Sequence, residues 1–97
     1  MKSTAEYIRV PSRLLHKLPP GVSMKEASLT EPLCIAYNAM AKHAQIKPGD
    51  LVVVIGPGPI GLLCTKMASI LGAADIVVVG TTGDEGRLEL AKKLVSE

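Results

Sequence analysis

Glycines 56, 58 and 61 stand in the spacing GxGxxG within Gly56-Pro57-Gly58-Pro59-Ile60-Gly61. The chemistry such a spacing serves is gripping a phosphate with backbone. Gly56 lets the chain turn sharply out of a strand, Gly58 lets backbone approach a pyrophosphate with no Cβ in the way, and Gly61 lets the next helix pack closely on the sheet. A helix beginning near Pro59 turns free amides and its positive dipole end toward that pyrophosphate, and proline there removes no donor the first turn needs. By itself the motif also describes a strand-to-helix turn with no ligand. The context supplies what a dinucleotide site requires: the buried-strand run Leu51-Val52-Val53-Val54-Ile55 before it, an apolar helical stretch after it, and Ile76-Val77-Val78-Val79 as a second strand. The expected ligand is a nicotinamide dinucleotide.

Other glycine loops fit less well. A P-loop ends in GK[ST], whereas Lys66 follows Thr65 inside the helix. A methyl-transferring enzyme, like an NAD site, wants an acidic residue at the end of the second strand for the ribose hydroxyls. This chain has Gly80-Thr81-Thr82 there. Without that carboxylate a 2′-phosphate is not repelled, and the Thr81 and Thr82 hydroxyls with Arg87 offer it partners, so NADP is tolerated or preferred on this reading, with NAD the alternative. Asp84 and Glu85 argue the other way, since either could loop back to a ribose or repel a phosphate. Arg87 also reads as a solvated residue of a first helical turn.

The elements that position these residues follow from pattern. Ala5 to Val10 is β-compatible, with Ile8 and Val10 on one face, and Pro11 closes it. After Pro19-Pro20-Gly21, Ser23 and Glu26 have capping-box spacing and predict a short helix through Met24 to Ala27. Thr30-Glu31-Pro32 predicts a second start with Thr30 as cap, and Leu33, Ala36, Tyr37 and Met40 give that helix one apolar face. Lys47-Pro48-Gly49-Asp50 is a turn. Leu51 to Ile55 shows no alternation, which predicts a parallel strand covered on both faces. Ile60, Leu63, Met67, Ile70 and Leu71 form an amphipathic helix that Gly72 ends, and Asp75 to Gly80 is the second strand. Thr81 to Gly86 reads as a loop, and Arg87 to Val95 as a helix with Leu88, Ala91 and Val95 inward and Glu89 paired to Lys93. The fold class is therefore α/β, a βαβα order. A doubly wound sheet needs about six strands, so the chain reads as part of something larger.

With 97 residues the chain makes one small domain, leaving roughly a third or more of its unfolded surface in water. Its only aromatics are Tyr7 and Tyr37, so the core rests on aliphatic side chains. A net charge of +2 with no basic stripe speaks against nucleic acid. Cys34 and Cys64 lack CxxC spacing and read as reduced, small, buried apolar residues. The polar start Met1-Lys2-Ser3-Thr4-Ala5-Glu6 has no signal region and no apolar run approaches the ~18 residues of a membrane span, so the expectation is a soluble, cytoplasmic protein.

Five segments in order, Ala5-Glu6-Tyr7, Leu15-His16-Lys17-Leu18-Pro19, Glu31-Pro32-Leu33, Lys47-Pro48-Gly49-Asp50 and Gly56 to Gly61, closely resemble the zinc-dependent medium-chain alcohol dehydrogenases, nearest their polyol and threonine dehydrogenase branch. The likeness runs from about Ala5 to Leu94. It implies that 1–30 is the tail of a GroES-like catalytic domain, 31–50 a connecting helix and turn, and 51–97 the first half of an NAD(P)-binding Rossmann domain. It also implies hydride transfer between an alcohol and nicotinamide, with zinc polarising the alcohol oxygen. The family's Cys and Gly-His-Glu zinc ligands lie upstream of the matching region, and its four-cysteine structural lobe is missing, so no metal is expected on this chain alone. Glu31 matches a position facing the zinc site, and also reads as a helix-start anion. Ile60 matches a position beside the nicotinamide, and reads equally as core. His16 and His43 match no ligand and read as surface residues. The isolated chain is expected to lack activity and to associate with itself or with the missing parts of a parent enzyme; the alternative is a non-catalytic, self-associating βαβ module.

Overall fold

The computed structural model describes residues 4–97; Met1, Lys2 and Ser3, the start of the polar N-terminal stretch, lie outside the described residues. A single 3-10 turn, Ser12–Leu14, precedes α1 (Met24–Ala27), α2 (Thr30–Tyr37) continued by a π-helical stretch Asn38–His43, then β1 (Leu51–Ile55), α3 (Pro59–Ile70), β2 (Asp75–Val79) and α4 (Glu85–Ser96). β1 and β2 pair in parallel with Val53 opposite Val77, and α3 makes the crossover. This is the expected βαβα order of a partial Rossmann-like unit.

Local sequence explains most element ends. Ser23 and Glu26 form the capping box: Glu26 N–H donates to Ser23 Oγ at 3.2 Å and Ser23 N–H donates to Glu26 Oε2 at 2.8 Å. In the turn before β1, Asp50 N–H donates to the Lys47 carbonyl at 3.1 Å, and Lys47 N–H donates to Asp50 Oδ2 at 2.8 Å. After α3, the Gly72 N–H reaches Ser69 O and the Ala73 N–H reaches Ala68 O, both at 3.1 Å, which is the bonding of a Schellman stop.

Several expectations need correction. Ala5 to Val10 forms no strand, because no described strand lies beside it to complete a ladder. Thr30 is inside α2 rather than its cap: Leu29 already has helical torsions and accepts the first bond, from Leu33 N–H at 2.9 Å. Glu89 pairs with Lys92 at 2.8 Å, three residues on, not with Lys93. Cys34 is exposed, since the face of α2 that packs inward carries Ala36, while Cys64 is buried as expected. The strands, lastly, are covered on one face only. Val52 and Val54 are 5% and 7% exposed, but Leu51, Val53 and Ile55 stand open, with Val77 and Val79 beside them.

The core lies between the covered face and the helices: Ala36, Met40, Val52, Val54, Cys64, Met67 and Ala68, flanked by Leu33, Ile46, Leu63, Ile76 and Val78. Burying a Val or Met side chain of this kind stabilises by roughly 1.5–3 kcal/mol. Tyr37, Ile70 and Val95, expected inward, are exposed at the rim. α4 is held to α3 partly by Lys66, whose Nζ donates to the Leu94 carbonyl at 2.8 Å.

Candidate functional site

The C-terminal ends of β1 and β2 bring together the glycine turn and the loop before α4. Gly56 takes φ +98°, the left-handed turn that frees the chain from β1, and its N–H still donates to Val79 O at 2.8 Å. Gly58 is the N-cap of α3 and Pro59 its first residue. Leu62 is the first amide of α3 bonded inward, to the Gly58 carbonyl at 2.8 Å. No side chain caps this helix, and its first turn has no acidic residue, so its leading amides and positive dipole end are left for an anion.

The glycines divide in their reasons. A Cβ on Gly61 would overlap the Gly56 carbonyl oxygen, so the protein itself forbids a side chain there. Thr65, fully buried, donates its hydroxyl to the Gly61 carbonyl one turn back in the same helix at 2.8 Å. A Cβ on Gly58 would meet no atom within 4 Å. No protein contact demands glycine at that position, and its absence of a Cβ leaves the backbone open to close approach by a ligand such as a pyrophosphate. The geometry therefore fits the dinucleotide that the spacing suggested. Ile60 is 39% exposed beside this opening, which removes its reading as core.

At the end of β2, Gly80 has no side chain, and the loop that follows folds back over it. Asp84 Oδ2 accepts from Thr81 N–H at 2.9 Å and from Thr81 Oγ at 3.0 Å, while Asp84 Oδ1 accepts from Arg87 Nη1 at 3.2 Å. The Thr81 amide and hydroxyl, with a smaller contribution from the Arg87 guanidinium, hold the Asp84 carboxyl below the usual carboxylate range. Thr81 and Arg87 are thus engaged with Asp84, and Thr82 is exposed in the loop. Sequence reasoning set Asp84 aside as ambiguous; the signal that could have placed it is the Thr81-x-x-Asp84 spacing, the same spacing that links Ser23 to Glu26.

Glu31 is exposed in the first turn of α2, where a helix start favours an anion. Among the described residues no three His, Cys, Asp or Glu side chains converge to hold a metal ion, and His16 and His43 are exposed. No helix of the described residues is long and apolar enough to cross a membrane. Burial pushes the Cys64 thiol up and leaves it neutral at physiological pH.

A parallel βαβα unit with a glycine turn at the strand ends defines the class, a partial Rossmann-like fold. No family model matches the chain. The chain is 44% identical over 92 residues to sorbitol dehydrogenase of Halalkalibacterium halodurans, covering 95% of itself and 26% of that protein. It is 41% identical over 90 residues to an uncharacterized zinc-type alcohol dehydrogenase-like protein of Escherichia coli, covering 92% of itself and 25% of the relative. Among solved structures, the alcohol dehydrogenase TADH from Thermus sp. ATN1 superposes with a TM-score of 0.73 at 39% identity, over 81% of this chain and 23% of that one. By sequence and fold the chain is thus homologous to a segment of the medium-chain alcohol and polyol dehydrogenases, and it spans about a quarter of the length of the curated relatives it matches.

Proposed function

We propose that this chain is the nucleotide-gripping joint of a zinc- and NAD(P)-dependent alcohol or polyol dehydrogenase. On this reading 1–30 ends the GroES-like catalytic domain, 31–50 connects, and 51–97 opens the cofactor domain. The observation that carries the reading is the opening at Gly58 beside the uncapped start of α3. The backbone of Gly56 to Gly61 binds the pyrophosphate, Pro59 presets the first helical turn, and Ile60 presents an apolar surface to the nicotinamide side. Gly80, Thr81, Thr82 and Arg87 border the adenosine ribose. The bound nicotinamide supplies hydride acceptance or donation; this chain binds and orients it. Glu31 alone cannot hold the family's zinc, which takes about three protein ligands in catalytic sites, so the metal belongs to the whole enzyme. The isolated chain is accordingly inactive in alcohol oxidation.

A fluorescence titration with NADH and NADPH tests this directly, comparing the native chain with Gly58→Ser. Serine is a good N-cap residue, so the variant keeps the fold, while its Cβ and hydroxyl occupy the pyrophosphate position. Saturable binding lost in Gly58→Ser supports the reading. No binding by the native chain, or unchanged binding by the variant, overturns it.

A further inference from the structure

The geometry points to Asp84 as the residue that selects the nucleotide, giving this chain a site for a free ribose diol, NAD(H), over a 2′-phosphorylated one; this rests on the dinucleotide reading above. An NAD-type site wants a carboxylate at the C-terminal end of the second strand, and β2 ends in Val79 with Gly80 next. The space a side chain on Gly80 would fill is taken by Asp84. An ideal Cβ there would stand 3.0 Å from Asp84 Cβ and 3.2 Å from Asp84 Oδ2, and 3.2 Å from Pro57 Cγ of the glycine turn. One point therefore touches the strand end, the phosphate-gripping turn and the Asp84 carboxylate. A carboxylate delivered from four residues on stands where a residue of the strand would ordinarily deliver it.

Its remaining bonding capacity suits a hydroxyl. An ionised carboxylate has about four lone-pair sites. Thr81 takes two on Oδ2 and Arg87 one on Oδ1, which leaves Oδ1 able to accept from a ribose hydroxyl. The side chain is 17% exposed, so part of it remains open to a ligand. Arg87, which alone would welcome a phosphate, is instead neutralised by Asp84. A 2′-phosphate would have to break that pair and then sit against the freed carboxylate, a like-charge contact.

Titration of the native chain, Asp84→Asn and the double variant Asp84→Asn, Arg87→Gln with both nucleotides tests the assignment, with circular dichroism confirming that each folds. Asparagine matches the aspartate in size and can keep the bond from Thr81 N–H through its amide oxygen. The native chain should bind NADH at least about tenfold more tightly than NADPH, a like-charge contact costing at least that much. Asp84→Asn should narrow or invert the ratio, and the double variant should lose the gain in NADPH affinity. NADPH binding as tight as NADH in the native chain, or a ratio unmoved in Asp84→Asn, overturns the assignment and leaves the dinucleotide reading standing. Binding of neither nucleotide by the native chain overturns both.

Discussion

The two faces of the β1–β2 sheet are built from nearly the same aliphatic residues and meet opposite surroundings. On one, Val52 and Val54 lie under α3 and are almost wholly buried; on the other, Ile55 is 84% exposed. The glycine turn at the strand ends divides the same way. Gly61 faces inward, where contact with Gly56 forbids a side chain, and Gly58 faces open space. The covered side is specified by contacts this chain makes with itself. The bare side has the composition of a buried surface without the neighbours, which is the condition of an edge or face awaiting a partner. The first region holds the unit together, and the second is free for contacts from outside the chain.

Substitution should separate the two most sharply at the glycines. Gly61→Ala drives a Cβ into the Gly56 backbone, and in so small a core a loss of about 3 kcal/mol or more leaves the chain largely unfolded. Gly58→Ser should change the melting temperature little or raise it, serine being a better cap than glycine by a few tenths of a kcal/mol. Equal loss in both would erase the distinction. Next comes the pair Met67→Ala and Val53→Thr. Met67 is buried against the covered face, so urea denaturation should show a cost of about 2–5 kcal/mol. Val53→Thr, on the bare face, should cost within about 0.5 kcal/mol.

The bare face should show itself in assembly. We expect the chain to associate as concentration rises, and Ile55→Lys to reduce the light-scattering mass without lowering the unfolding midpoint at low concentration. A native chain that stays monomeric would mean that this face tolerates water.

Smallest is the pH effect. Ser23 hydrogen bonds, Thr81 hydrogen bonds, local backbone hydrogen bonds and the Lys92 ammonium hold the carboxyls of Glu26, Asp84, Glu85 and Glu89, respectively, below their ordinary values. Since the folded pKa values are depressed, the stability these groups add is present above the unfolded carboxylate pKa. It is lost as pH falls through the folded values. All four are solvent-screened, so the melting temperature should decline gently below about pH 4, and Ser23→Ala should flatten part of that decline while costing about 1 kcal/mol at neutral pH.

Reading the sequence alone located β1, α3, β2, the capping box, the Lys47 to Asp50 turn and the glycine motif, because each depends on contacts within a few residues. Short-range hydrogen bonds and φ preferences travel with the residues themselves. It misjudged the coverage of the strands for a reason of the same kind: Leu51-Val52-Val53-Val54-Ile55 encodes suitability for burial on both faces, and burial depends on what else arrives. The Ala5 to Val10 segment failed likewise, for want of a neighbouring strand.

Sequence by itself therefore determined the βαβα order and where the glycine turn lies between β1 and α3. Only the tertiary structure decided which glycine is structural and which is open, and that Asp84 lies over Gly80 with Thr81 and Arg87 on its oxygens. Those facts depend on where the backbone of one loop lies against the end of another strand, a through-space distance that spacing along the chain does not fix.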